Sequence, residues 1–471
     1  MPAATIGAGL ISVRHLMIPF RAAVEAACPP FLRGFKARLE ASPLATRLIR
    51  GTFWSLVGTV GSRLLGLLAA IFVARLIGKV GMGELGIVQS TVGMFSTLAG
   101  LGLGLTATKH VAEHRVGNPA RVGETIGLLS LISWGSGLAM TLVVLVLSPW
   151  LARHTLAAPR LTPELQSGSL LLLFGVINGV QTGVLAGFEA FKSISRINLI
   201  TGLANFPILV GGAYVAGLPG AVWGLVAVLA LNCGLNFLTV RREAAAAGAV
   251  VTYRQIHKHW PLLWRFGLPG MLSGLIAGPV NWGTGTLLVN QPGGYAEMGI
   301  LNACNTWFQA VAFLPNLLAQ VLLPILAAYS AANNRAGLNR ALWLATTANL
   351  IIVLPVVVIG CGFSRWIMGW YGPGFAEGWP VLVITLLSGG VLMIQAPITD
   401  RLVATSKMWA YFLAHIIWAV IFVTGTYFWV PVHGSAGLAM ARLVAYVVNG
   451  AAVVALVWRN ERRHPEGAMS Q

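Results

Sequence analysis

Five amide side chains, Asn302, Asn305, Gln309, Asn316 and Gln320, stand at increments of 3, 7, 14 and 18 residues from the first. At about 100° per residue they fall within an arc of about 60° on a single helix. The flanking sequence is apolar, and five amides facing lipid would be costly. The stripe must look inward, as glue between helices or as the wall of a wet passage. The wall is the preferred reading, because helix glue usually needs only one or two such groups. Neutral amides suit hydroxyl-rich ligands, which both donate and accept hydrogen bonds.

A second chemistry comes from arginines in apolar surroundings. Arg63 lies eleven residues beyond Thr52, roughly 17 Å along its helix at about 1.5 Å per residue, where neither membrane surface is within easy reach. It needs a partner or a watery cavity. Arg442 lies about 10 Å inside the end of the last apolar run by the same arithmetic. Arg265, Arg75 and Arg401 sit near the ends of apolar runs, where solvent or lipid phosphate is the simpler contact. Asp400 is the only aspartate in the chain; a local ion pair with Arg401 and a role in ion coupling are both open for it. An interior with guanidinium and little carboxylate should attract anions, and the planar guanidinium grips two phosphate oxygens at once.

These groups must be positioned by membrane helices. The chain has 471 residues, 56% hydrophobic and only 9% charged, whereas charged residues make up about a quarter of a soluble domain. Helices are expected at 52–77, 84–108, 123–147, 167–188, 196–216, 219–240, 262–290, 297–326, 341–362, 379–402, 408–430 and 435–458. The expected organisation is a basic cytosolic extension with an interfacial helix near "FLRGFKARLE" (1–50), a six-helix bundle (51–240), a cytosolic linker (241–261), a second six-helix bundle (262–458) and a cytosolic tail (459–471). Loops assigned to the cytosol hold 22 Lys and Arg, against four on the other side, Lys79, Arg153, Arg160 and Arg365. The positive-inside rule then places both termini in the cytosol.

The two bundles resemble one another. "GMGELGIVQS" from Gly81 and "YAEMGILNAC" from Tyr295 share Glu-x-Gly-Ile with an offset of 213 residues, which also carries Gly224-Leu225 onto Gly437-Leu438 and Asn236 onto Asn449. The fold class expected is therefore an all-α polytopic membrane protein of 12 helices. Its two repeats would be related by a pseudo-two-fold along the membrane normal, with a central cavity between them. The same offset maps the amide stripe onto Gln89 and Ser96, a weaker copy of the wall. Glu84 and Glu297 fall at the outer starts of equivalent helices, where the helix dipole favours a carboxylate, and the glycine two residues later admits a close neighbour.

Several function classes lack their residues. The net charge of +18 is spread over short loops without interleaved aromatics, so no nucleic acid is expected as a partner. Cys28, Cys233, Cys304 and Cys361 show no paired spacing, so neither a disulfide framework nor a metal site is indicated, and no cofactor is expected. No G-x-x-x-x-G-K-[ST] is present, and Gly100, Gly102 and Gly104 of "GLGLGL" are expected inside an apolar helix rather than in a phosphate loop. A glycan polymerase, ligase or acyltransferase usually carries catalytic acids or histidines on a sizeable outer loop. Here His154 has only Glu164 nearby, and His415 is lone.

The first span, "GTFWSLVGTVGSRLLGLLAAIFVARLIG", followed by "ELGIVQS", resembles the opening of polysaccharide transporters of the multidrug/oligosaccharidyl-lipid/polysaccharide exporter superfamily, from about residue 50 to the C-terminus. "SRLLG" and "VARLIG" are similar to the first helix of the lipid II flippases, whose second arginine is replaced here by Ala69. The resemblance implies a non-enzymatic alternating-access flippase of the bacterial inner membrane. It would translocate a polyprenyl-diphosphate-linked oligosaccharide for exopolysaccharide, capsule or O-antigen synthesis, beside a glycan polymerase and export machinery. The resemblance also implies Arg63 as the position of an arginine facing the cavity; together with the reading of the residues, Arg63, Arg442 and Arg265 are the expected diphosphate contacts, the amides and Gln89 the sugar contacts, and Asp400 the candidate for ion coupling. The rival within the superfamily is a cation-coupled drug exporter, which commonly uses an aspartate in the first helix.

Overall fold

The computed structural model describes residues 43–100, 102–115, 117–252, 268–332, 334–405 and 408–463. The chain divides into two compact units, Met1–Gly58 and Thr59–Gln471; the first is helical over residues 43–58. The "FLRGFKARLE" segment, Arg265 and residues 253–261 of the expected linker lie outside the described residues. The helices are α1 (Pro43–Gly100), α2 (Leu103–His114), α3 (Pro119–Trp150), α4 (Thr162–Gly187), α5 (Phe191–Ala246), α6 (Leu268–Val289), α7 (Gly294–Ala331), α8 (Arg335–Gly362), α9 (Ser364–Trp370), α10 (Trp379–Ala404) and α11 (Met408–Arg463). Among the described residues there is no strand.

Among the described residues seven stretches are long and apolar enough to cross a bilayer, and the protein is a polytopic helical membrane protein. Three of these stretches are bent pairs. α1 turns at Gly78, α5 at Ala216 and Gly217, and α11 at Gly434. The three glycines have φ of 69°, 61° and 54°, a left-handed region that costs glycine nothing and other residues a Cβ clash. The connections expected near 78–83 and 431–434 are thus compressed to about a single residue each. Gly293, at φ 71°, turns the chain from α6 into α7 as Gly78 does within α1.

Other ends follow ordinary rules. Asn118 caps α3, its side chain accepting from the Arg121 N–H at 3.1 Å, with Pro119 following; Asn334 caps α8 by accepting from Gly337 at 2.8 Å. Both satisfy backbone donors that a helix start leaves free. The expected helix through "GLGLGL" is broken, because Gly102 takes φ 64° and α2 starts after it. α11 continues to Arg463, beyond the expected start of the tail.

Lipid-facing rows are plain. Leu64, Leu68, Phe72 and Leu76 are exposed at four-residue spacing along α1, one ridge of an α-helix. The opposite faces build cores. One large cluster joins both halves of the chain, with Ile87 and Val88 of α1 beside Leu288 of α6 and Met298 and Leu301 of α7. The remaining clusters stay within a half. Leu103, Val111, Val122, Val184 and Val240 form one in the first, while Leu322, Leu326, Leu338 and Leu342, and Leu402, Ala414 and Val453, form two in the second.

Candidate functional site

The shared core marks the end of the bundle where the halves meet. Gly83 of α1 lies so close to α7 that a methyl group there would overlap the Tyr295 carbonyl oxygen and lie 2.9 Å from the Gly299 nitrogen; a methyl on Gly299 would overlap the Lys79 carbonyl. Hydrogen bonds cross the same seam. The Tyr295 hydroxyl donates to Leu156 O at 2.7 Å, Asn290 Nδ2 to Thr155 O at 2.8 Å, and Asn302 Nδ2 to Met82 O at 3.2 Å. Trp282 Nε1 donates to Thr91 Oγ1 at 3.0 Å. Toward the opposite end, where Lys109, Arg121, Arg335 and Arg340 lie, each half keeps its own core.

Between the seam and that end is a cavity of about 800 Å³. Its wall comes from α1 (Ser62, Arg63, Gln89), α4 (Asn178), α5 (Asn198, Thr201, Asn205, Asn232) and α7 (Asn302, Asn305, Thr306, Gln309), with leucines and valines between them. Among the described lining residues Arg63 is the one charged group. Its guanidinium carbon sits 5.5 Å from the centroid of the Phe313 ring in α7, a cation–π contact. No described carboxylate pairs with it. α1 is seated against α5 at Gly202, where a methyl would overlap the Ser62 side chain, which fixes the backbone beside Arg63.

The structure therefore brings Arg63, Gln89, Asn302, Asn305 and Gln309 together. Asn316 is exposed on α7 but does not line the cavity, and the Gln320 side chain lies outside the described residues. Arg442 is placed differently from its expected ligand contact: it is 7% exposed, behind the wall. There Nη1 donates to Asn305 Oδ1 at 2.7 Å and Nη2 to Thr385 Oγ1 at 3.0 Å, above the Phe308 ring. Depth along a helix, from which its exposure was read, says nothing of the direction a side chain takes. Asp400 lies in α10, away from the cavity, its Oδ2 enclosed without a hydrogen-bond partner.

The paired acids also have partners beyond the helix dipole. Glu84 lies inside α1 and accepts from Arg160 Nε at 2.8 Å. Glu297, in the first turn of α7, accepts from the Ser435 N–H at 3.0 Å and from its hydroxyl. That N–H belongs to the residue following the Gly434 bend, so Glu297 caps a neighbouring helix segment.

Sequence reasoning missed the amides of the first half, Asn178, Asn198, Asn205 and Asn232. Asn198, Thr201 and Asn205 repeat at three and seven residues and share one face, so the rule that found the α7 stripe would have found them. Asn178 with Gln181, and Asn232 with Asn236, are pairs three and four residues apart in otherwise apolar sequence, too short a run to be read as a stripe.

Solved structures share the architecture. The chain is similar to an inward-facing multidrug resistance MATE family transporter of the MOP superfamily, with TM-score 0.69 and 15% identity over 87% of this chain and 96% of that one. The lipid II flippase MurJ in an inward closed conformation is equally similar, with TM-score 0.69 and 15% identity over 86% and 87% of the two chains. Among curated proteins, the EPS I polysaccharide export inner membrane protein EpsE of Ralstonia nicotianae is 23% identical over 45% of this chain, and that of Ralstonia solanacearum 22% over 39%. The chain spans about half the length of these relatives, 51% and 42%. The model of one family, described as polysaccharide biosynthesis protein, matches residues 48–330, more than half of the chain. The chain belongs to that polysaccharide biosynthesis protein family.

Proposed function

We propose that the protein is a flippase that carries a polyprenyl-diphosphate-linked oligosaccharide across the bacterial inner membrane by alternating access. One observation carries this reading: an 800 Å³ cavity between the halves whose described lining holds a single guanidinium, many amides and no carboxylate. Arg63 would grip the diphosphate through charge-assisted hydrogen bonds, the amides would take the sugar, and the isoprenoid tail would stay in lipid. Lys and Arg crowd the end where the halves keep separate cores, so the positive-inside rule makes that end cytosolic and the sealed end external. Arg442 supports the site through Asn305 rather than by touching the ligand. Family membership and the name of the EpsE relatives support polysaccharide export. A cation-binding exporter would want an acid in this cavity, and among the described lining residues there is none.

The test is polymer export in a strain lacking the gene and complemented with Arg63→Ala or Arg63→Lys. Losing a charge-assisted hydrogen bond weakens a complex by about 1.5–3 kcal/mol, roughly 10- to 150-fold. Arg63→Ala should fail to restore export and Arg63→Lys should restore it partly. Wild-type export by Arg63→Ala at normal protein levels would remove Arg63 from the mechanism.

A further inference from the structure

Four of the cavity's amides, Asn178, Asn232, Asn302 and Asn305, are held by hydrogen bonds that decide which end of each faces the ligand. A guanidinium can only donate, so Arg442 Nη1 forces Asn305 to point its Oδ1 away from the cavity, toward Arg442. The Asn305 NH2 group, without a partner among the described residues, is left for the cavity that Asn305 lines. On the facing half the anchor is the Ile197 carbonyl, which accepts from Thr201 Oγ1 at 2.8 Å. Thr201 therefore accepts from Asn232 Nδ2 at 3.2 Å, Asn232 Oδ1 accepts from Asn236 Nδ2 at 2.9 Å, and Asn236 Nδ2 also donates to Asn178 Oδ1 at 2.6 Å. The chain of bonds ends with the Asn178 NH2 on the cavity wall. Arg442 fixes Asn305 because it has no acceptor, and in the first half the order of the amides follows once the Thr201 proton is spent on the Ile197 carbonyl.

With Arg63, the cavity thus presents fixed donors from both halves. Asn302, whose NH2 is taken by Met82 O, supplies an acceptor oxygen. We infer that this cavity selects sugars carrying sp² oxygen acceptors, a carboxylate or an N-acyl carbonyl, over sugars with a free amine. A carboxylate or acyl oxygen takes two N–H groups without a proton to place. An ammonium brings donors to donors, leaving both sides unpaired, and unmade buried hydrogen bonds are what specificity is built from. Arg442 and Asn236 are positioning residues, acting through Asn305 and Asn178. The inference rests on the flippase reading of the same cavity.

The test uses the full chain in lipid nanodiscs and calorimetric titration with four uridine diphosphate sugars that differ only in the sugar: glucuronate, N-acetylglucosamine, glucose and glucosamine. Glucuronate and N-acetylglucosamine should bind about tenfold or more tighter than glucosamine, the worth of roughly one hydrogen bond. The glucuronate and N-acetyl arms separate the two acceptor sources, and N-acetylglucosamine against glucose removes the ammonium's repulsion by Arg63 from the comparison. Asn305→Asp keeps the bond from Arg442 but turns the cavity-facing group into an oxygen, and Asn178→Asp does the same beside Asn236. Each should lower the preference about tenfold. Arg442→Met should lose discrimination while inorganic pyrophosphate binding stays within about twofold, a split that misfolding would not produce. Equal affinity for all four sugars, or an unchanged order in both aspartate variants, overturns the inference. If pyrophosphate still competes in that case, the diphosphate site stands alone; if the wild-type chain binds neither pyrophosphate nor any of the sugars, the flippase reading falls with it.

Discussion

Gly83→Ala attacks the seam with one methyl group. The added carbon overlaps the Tyr295 carbonyl oxygen and meets the Tyr295 carbonyl carbon and the Gly299 nitrogen at 2.9 Å. Carbon and carbonyl oxygen in close contact need about 3.3 Å, so α1 and α7 must part by on the order of 1 Å in the closed state. The bonds from Asn302 to Met82 O and from Tyr295 to Leu156 O then stretch past useful length. Two hydrogen bonds are worth about 1–3 kcal/mol together, a shift of roughly 5- to 150-fold in the ratio of closed to open seam. Gly93→Ala, on the same helix with nothing within 4 Å of the position, is the matched control. In a background without native cysteines, Gln89→Cys on the cavity wall reports access to a membrane-impermeant maleimide from either side. Gly83→Ala should raise labelling from the sealed end and lower it from the other, and Gly93→Ala should leave both unchanged. Equal labelling of Gly83→Ala and its control, with both proteins present at normal levels, would refute the claim that this seam closes the cavity.

Asp400→Asn should remove the dependence of transport on a proton or sodium gradient in proteoliposomes; gradient dependence like that of wild type takes Asp400 out of coupling. Asn118→Ala should cost about 1 kcal/mol as a lost cap, read as a fall of about 1–2 °C in the thermal midpoint of a chain this large, whereas no change would mean that the cap is dispensable. Burial, outweighing the raising effect of Glu113, holds the His110 imidazole below its ordinary range. Because the folded state resists protonation more than the unfolded state, the stability due to neutral His110 is full above about pH 6.5 and is lost as the pH falls through the depressed value. His110→Gln should therefore flatten the acid-side loss of thermal stability, and an unchanged pH profile would contradict the assignment.

How far the site could be read depended on which dimension the sequence encodes. Angular position is written in the helical period, and Asn302, Asn305 and Gln309 share a cavity as their 3.6-residue spacing requires. Depth is written less well. Asn316 keeps the stripe's angle, but it lies about 21 Å along the helix from Asn302, past the cavity's end. Arg442 failed in the opposite sense, with its depth computed and its direction unknown. The bends at Gly78, Gly217 and Gly434 were legible as breaks, because glycine and proline punctuate apolar runs there. That a single residue suffices for each turn was not, since it depends on the backbone angle glycine adopts. Asn232 and Asn236 stand one helical turn apart, but period alone could not join them to Asn178 on another helix, which Asn236 reaches across the first half.

Asn302 belongs to both parts of the machine, lining the cavity and closing the seam through Met82 O. A ligand that captured its amide would loosen the seam by one hydrogen bond, about 0.5–1.5 kcal/mol. Carrying a two-state equilibrium from one side to the other takes roughly 5.5 kcal/mol of differential binding, so Asn302 alone cannot drive the change. The remainder must come from a contact that moves a whole element. Arg63 is suited to it, since it stands on the same helix as Gly83, with the Gly78 bend between them and nothing within 4 Å of where a Gly78 side chain would begin. An anion drawing Arg63 off the Phe313 ring would pull the first limb of α1 against a free bend, and several seam bonds would yield together rather than one.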